Sequence, residues 1–414
     1  MTNIPKTMRA LVLGGQGFDD LAIREIPVPR PGAKQLLARV DAASICTSLV
    51  KLIEQGSKHS YLYGWDTKKY PIILGDEGSV TIVEVGSDLR NDYEPGQRFV
   101  LQPSVDIAPI NHRQRYENVE LIKKLAVSYS LPGHLAEYIL ITEESIQGAS
   151  VLPVPEGIAF AHASNAEPIS CCVSGQEHHL HLEQDNPLSE RRVFKGLKKG
   201  GFTVIVGAGA MGRMHVDIAM SYKPRVILVM DFISDRLERT QKLFSKKAKD
   251  SAIALLTLNP KDDDVIKTIR KLNNNDLAND VIVAVGAAAA VESAQYYVAP
   301  KGVLSLFGGL KKGEDIVGLN AGIIHYQEIN VTGSSGGSPW DLAKTLELMS
   351  EKKIEAAKHI ARIGDLNHAI DFIKMVKNKE LDGKAVIYPH RRTDKILDVD
   401  GWTVEDEREY LENH

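Results

Sequence analysis

Two acidic residues stand side by side between glycines in "YPIILGDEGSVTIVEVG", Tyr70 to Gly86. An apolar run precedes Asp76 and Glu77 and a strand-like alternation follows, so both charges are expected to be buried where they repel each other. A cation would resolve the conflict. Donors able to share it lie in two other places: Cys46 in "DAASICTSLVKL", with Ser48 two residues on, and Glu167 in "SNAEPIS", just before a proline. Zinc accepts sulfur and oxygen donors, and a catalytic zinc keeps one position open for water or substrate. Each residue taken singly has a plainer reading. Cys46 serves equally as a small buried hydrophobe, Asp76 and Glu77 as turn caps, and Glu167 as the start of a helix.

A second group concerns phosphate. "FTVIVGAGAMGRMHVDIAM" puts Gly207, Gly209 and Gly212, with Ala210 and Met211 between them, after a strand pattern and at the start of a helix. The first glycine permits a tight turn, the second lets backbone N–H groups approach a pyrophosphate, and the third lets helix and sheet pack closely. The next strand, "RVILVMD", ends in Asp231, where a carboxylate would accept both ribose hydroxyls. Strand, turn, helix, strand and acid together predict dinucleotide binding. Asp231 would repel a 2′-phosphate, which favours NAD over NADP, and nearby Arg236 and Arg239 moderate that preference.

Two further clusters carry less. His178, His179 and His181 in "SGQEHHLHLEQDNPLSERRVFKGLKKGG" invite a metal reading, but a polar connecting segment with solvated imidazoles is preferred. Lys58, His59, Lys68 and Lys69 in "SKHSYLYGWDTKKYP" would anchor a phosphate or form an ordinary solvated loop, the second being preferred.

The elements that must position these residues fall into two styles. The first 150 residues alternate short β-rich runs with Gly and Pro, as a β-barrel or sandwich does. From about Gly200 strands and helices alternate, which means a parallel sheet covered on both faces. Helical patterns follow "INVTGSSGG", the strand "KAVIYP" closes them, and a charged tail from His390 to His414 is expected to be disordered or to cover an edge. A chain of 414 residues implies two domains. Hydrophobic content of 43% and charged content of 25% are those of a soluble protein. A net charge of −4 argues against nucleic-acid binding. The longest apolar runs are too short to span a membrane, and no targeting segment opens the chain. Cys171 and Cys172 are sequence neighbours poorly placed to pair, so no disulfide framework is expected and a cytoplasmic location is.

In this order the motifs resemble the medium-chain dehydrogenase/reductase family, in its zinc-dependent alcohol and polyol dehydrogenase branch. The resemblance rests on "SICTS", "LGDEGSVTIVEVG", "EPGQRFVLQP", "GHLAEYILI", "EPIS" and "VIVGAGAMG", which span nearly the whole chain. "GQRFVLQP", the long segment before the cofactor strand, "SSGG" and the final "KAVIYP" are most similar to sugar-phosphate reductases of the sorbose-1-phosphate type.

The resemblance implies an α/β fold: a GroES-like β-barrel catalytic domain from residues 1–168 and 341–414, and a Rossmann doubly wound cofactor domain from 169–340. It implies Cys46 as thiolate ligand, Glu77 at or next to the metal, Glu167 as a carboxylate binding directly or through water, and Ser48 as the start of a proton relay. Asp76 stands where the family usually has histidine, a harder and more negative donor that lowers zinc selectivity. The cysteine-free stretch "SVDIAPINHRQRYENVELIKK" implies one catalytic Zn2+ and no structural zinc. The implied reaction is reversible oxidation of a secondary alcohol of a polyol, sugar or sugar phosphate, with hydride passing to NAD between the two domains. A homodimer or homotetramer is implied, pairing through "GVLSLFGG" and "INVTGSS". The rival readings are a zinc-free NAD(P)H-dependent reductase of the same fold and a non-catalytic nucleotide-binding protein.

Overall fold

A computed structural model describes residues 4–106, 113–115, 120, 122–311 and 313–413. The chain divides into two compact units. The first joins Met1–Glu167, Ser338–Ser350 and Ala356–His414, and the second joins Pro168–Gly337 with the short strap Glu351–Glu355. The strap falls within the span expected for the catalytic domain, and its bonds explain its allegiance. Glu355 N–H donates to Asp217 Oδ2 at 2.9 Å, and Lys247 Nζ donates to the Lys353 carbonyl at 2.6 Å.

In the first unit the strand Leu36–Ser44 is the pivot. It is buried along nearly its whole length, with Glu77–Val85 antiparallel on one side and Lys384–Ile387 antiparallel on the other. Ser44 lies opposite both Glu77 and Val386. The end of this strand therefore meets the starts of both neighbours, and Cys46, Asp76, Glu77 and Lys384 reach the same edge of the sheet. The sheet continues through Arg98–Leu101 to Val151–Pro153 and, at the other end, through Ile360–Gly364 to Leu397–Asp398. The last of these strands belongs to the charged tail, which thus covers a sheet edge and then forms the helix Val404–Asn413. A three-stranded sheet, Leu21–Pro27, Thr7–Leu13 and Ile72–Ile73, completes the unit.

The second unit holds a six-stranded parallel sheet in the order Ala254–Leu258, Val226–Met230, Phe202–Val206, Ala278–Val283, Val298–Leu306, Asn330–Gly333. This is the doubly wound order, with its ligand crevice at the carboxyl ends of the strands. Val298–Leu306 has neighbours on both sides, so "GVLSLFGG" cannot pair across subunits; "INVTGSS" forms the open edge. Residues 174–201 are not a plain connector, since Leu180–Glu183 and Arg192–Lys195 form an antiparallel hairpin. No helix among the described residues is long and apolar enough to cross a membrane.

Candidate active site

Cys46 leaves the pivot strand, and Ser48 opens the helix Ser48–Gln55 immediately after it. Asp76 is delivered by a turn at Gly75, whose φ of +105° and whose missing Cβ, which would fall 2.6 Å from Leu135 N, both require glycine. Glu167 sits in the first turn of Ala166–Glu177. The charges of Asp76, Glu77 and Glu167 all act on the Cys46 thiol. The four expected ligands therefore share one neighbourhood of the first unit.

Within it, Glu77 is already paired. Lys384 Nζ lies 2.7 Å from Oε1 and 2.6 Å from Oε2 of Glu77, and donates to the Ile45 carbonyl at 2.8 Å. Burial pushes the Glu77 carboxyl up, which Lys384 opposes and Asp76 reinforces. Burial works against the Lys384 ammonium, but Glu77 and Cys46 hold it above its ordinary value. Asp76 differs: Ser48 Oγ donates to its Oδ2 at 2.5 Å, while its Oδ1 is buried and has no hydrogen-bond partner among the described residues. Burial pushes its carboxyl up, against the Ser48 hydrogen bond. The Cys46 thiol is pushed well up by burial, then by Asp76 and Glu77, with Lys384 opposing.

Asp76, Glu77 and Glu167 all press on the Cys46 thiol, and Lys384 is the cation that opposes them. The thiol and the Asp76 oxygen without a hydrogen-bond partner among the described residues fit a divalent cation. The donors are not drawn in around it: among the described residues, the only His, Cys, Asp and Glu donor atoms gathered three together within 4.8 Å are those of His179, His181 and Asp280. Lys384 occupies Glu77, whereas Asp76 keeps one buried oxygen without a hydrogen-bond partner among the described residues.

Two residues here escape sequence reasoning. Lys384 is a lone lysine starting an apolar strand, 6% exposed. Tyr129 is buried beside Asp76 and Cys46, and its hydroxyl bonds Ser48; burial and those charges push its pKa up. His59 packs its ring on Tyr129 at 4.9 Å, whereas Lys58, Lys68 and Lys69 are exposed.

In the second unit, the strand Phe202–Val206 runs into Gly207, φ +109°, and a Cβ on Gly212 would lie 1.9 Å from the Gly207 carbonyl oxygen. Gly209 caps the helix Ala210–Ala219, which begins with Ala210 and Met211. Asp231 accepts Ala208 N–H at 2.8 Å and Ile233 N–H at 2.9 Å, with Arg236 3.8 Å from Oδ2. This is the loop, helix start and acid of a dinucleotide site.

The comparisons with known proteins agree with this architecture. Residues 32–156 match the alcohol dehydrogenase GroES-like domain, and residues 210–351 match the zinc-binding dehydrogenase family. The chain belongs to the medium-chain dehydrogenase/reductase family, in its zinc-type alcohol and polyol dehydrogenase branch, and is an oxidoreductase. Among curated relatives it is 32% identical to the mannitol-1-phosphate 5-dehydrogenase of Aliivibrio fischeri, over 90% of this chain and 85% of that one. It is 27% identical to the L-sorbose 1-phosphate reductase of Klebsiella pneumoniae, over 88% and 84%. The solved 2R,3R-butanediol dehydrogenase of Bacillus subtilis shares its fold, with a TM-score of 0.73 at 17% identity, over 92% of this chain and all of that one.

Proposed function

We propose that this enzyme interconverts a secondary alcohol and a ketone on a phosphorylated polyol or sugar, using NAD(H) and one divalent cation, zinc by preference. Cys46, Asp76 and Glu167 would hold the ion, which when bound supplies positive charge that lowers the proton affinity of a substrate alcohol. The observation that carries the reading is the buried Asp76 oxygen without a partner beside the Cys46 thiol. Lys384 holds Glu77 in place. Ser48, hydrogen-bonded to Asp76 and to Tyr129, is set to pass a proton away from the substrate hydroxyl. Gly207, Gly209, Ala210, Met211 and Gly212 would cradle the pyrophosphate, and Asp231 with Arg236 the adenosine ribose.

Relatives named for 1-phosphate substrates support a phosphorylated substrate. The edge strand Asn330–Gly333 supports assembly with a second copy. Cys46→Ser is expected to lose the metal held at the Cys46 site and at least a hundredfold in turnover while cofactor still binds. Full activity in a metal-free, chelator-treated enzyme would favour the zinc-free reductase instead. Turnover on a free polyol set against its phosphate ester decides the substrate class. For Asp231→Ala, the ratio of kcat/KM with NAD to that with NADP should fall about tenfold or more; an unchanged ratio removes Asp231 from cofactor choice. Proteins of this fold have been solved with NADP and with NADH, so the fold alone does not choose.

A further inference from the structure

The polar stretch 174–201 was expected to carry solvated imidazoles, and the structure corrects this. His179 and His181 are 0% and 5% exposed, and both face Asp280, itself 0% exposed, on the strand Ala278–Val283. The spacing explains the convergence: residues two apart on an extended chain share a face. His179 Nδ1 is 2.7 Å and His181 Nε2 is 2.8 Å from the same oxygen, Asp280 Oδ1, and Asp280 Oδ2 accepts Lys198 N–H at 2.9 Å. His178 is separate, its Nδ1 lying 2.6 Å from the Ser174 carbonyl.

We propose that His179, His181 and Asp280 form a metal site distinct from the one at Cys46, binding a zinc-like divalent cation that fastens the hairpin Leu180–Lys195 to the parallel sheet. Two imidazoles and a carboxylate are donors such ions accept, with a fourth position left to a small ligand. The three donor atoms lie within 4.8 Å of one another. Tetrahedral coordination at about 2.0–2.1 Å separates donors by roughly 3.3 Å, so entry of the ion asks each of the two His–Asp pairs to open by about half an ångström. His179 Nε2 is buried with no hydrogen-bond partner among the described residues, so a proton leaving Nδ1 has a place on the same ring. The Lys198 N–H fixes the other Asp280 oxygen, as supporting bonds do around metal carboxylates.

The hairpin also needs such a fastening. A two-stranded hairpin is marginal in water, and its apolar side chains Leu180, Leu182, Val193 and Phe194 are 43%, 52%, 60% and 53% exposed. Through His179 and His181 it reaches the buried Asp280, and the Leu180 carbonyl also accepts Asn330 Nδ2 at 3.1 Å.

Cobalt(II) separates the two sites, because a thiolate ligand gives an intense sulfur-to-metal charge-transfer band and a His–His–Asp set gives only weak visible bands. Full-length Cys46→Ser, stripped with chelator and dialysed against cobalt, should retain about one ion per chain without the charge-transfer band. Its Tm should rise on adding the metal. His181→Gln in the same background should abolish both effects. A Cys46→Ser protein that binds no cobalt, or whose Tm ignores it, overturns the proposal and leaves the triad a hydrogen-bonded pin. Should the double variant fail to fold, His179→Gln in the same background makes the same comparison. Failure of the Cys46 assignment would show separately, as a missing charge-transfer band in the unmutated chain.

Discussion

The ion pair at the floor of the site has the largest single-residue consequence. Lys384→Met would leave Glu77 buried and unpaired beside Asp76, and losses of that kind run about 3–5 kcal/mol. Lys384→Arg should recover most of it. Urea midpoints of the three proteins check this, and equal midpoints would show that Glu77 tolerates solitude. Cys46, Asp76 and Glu77 were legible because charges inside an apolar run demand an explanation. Lys384 was not, because one lysine at a strand start is unremarkable and its partner lies 307 positions away. Tyr129 carried no signal at all until the fold set its hydroxyl on Ser48.

At the scale of elements, one turn decides where Asp76 stands. Gly75→Ala forces a side chain into a left-handed conformation against Leu135 N. The expected cost is about 1–3 kcal/mol in stability. Turnover per folded molecule should fall as well, because the orphaned oxygen moves with the turn. A variant that loses stability but keeps kcat would show that this geometry is not needed for catalysis. The doubly wound sheet was readable in advance, since its five-residue apolar strands alternate with long amphipathic helices. The hairpin was not: four-residue strands in polar surroundings are too short for periodicity to register. Burial of His179 and His181 follows only from the packing of that hairpin.

Across the whole molecule, the C-terminal tail holds the catalytic unit together. Glu407 accepts N–H groups of Phe160 and Ala161 at 2.6 and 2.8 Å, and the Tyr388 hydroxyl at 2.8 Å. It thereby caps the short helix Phe160–Ser164, which leads directly into the helix bearing Glu167. Glu407→Ala should lower stability by about 1–3 kcal/mol and weaken metal affinity, read by thermal melting and competition with a chelator. Unchanged affinity would separate the tail from Glu167.

The three-part threading of that unit also sets an order of events during synthesis. Residues 168–337 and the strap 351–355 have all been translated before Lys384, so the nucleotide half can close while the ribosome is still working. The acid-rich half cannot, because its neutralising ammonium is translated only after the whole nucleotide half. A stalled or prematurely terminated product would therefore hold a finished nucleotide fold beside an open sheet edge, and would be a natural substrate for quality-control proteases.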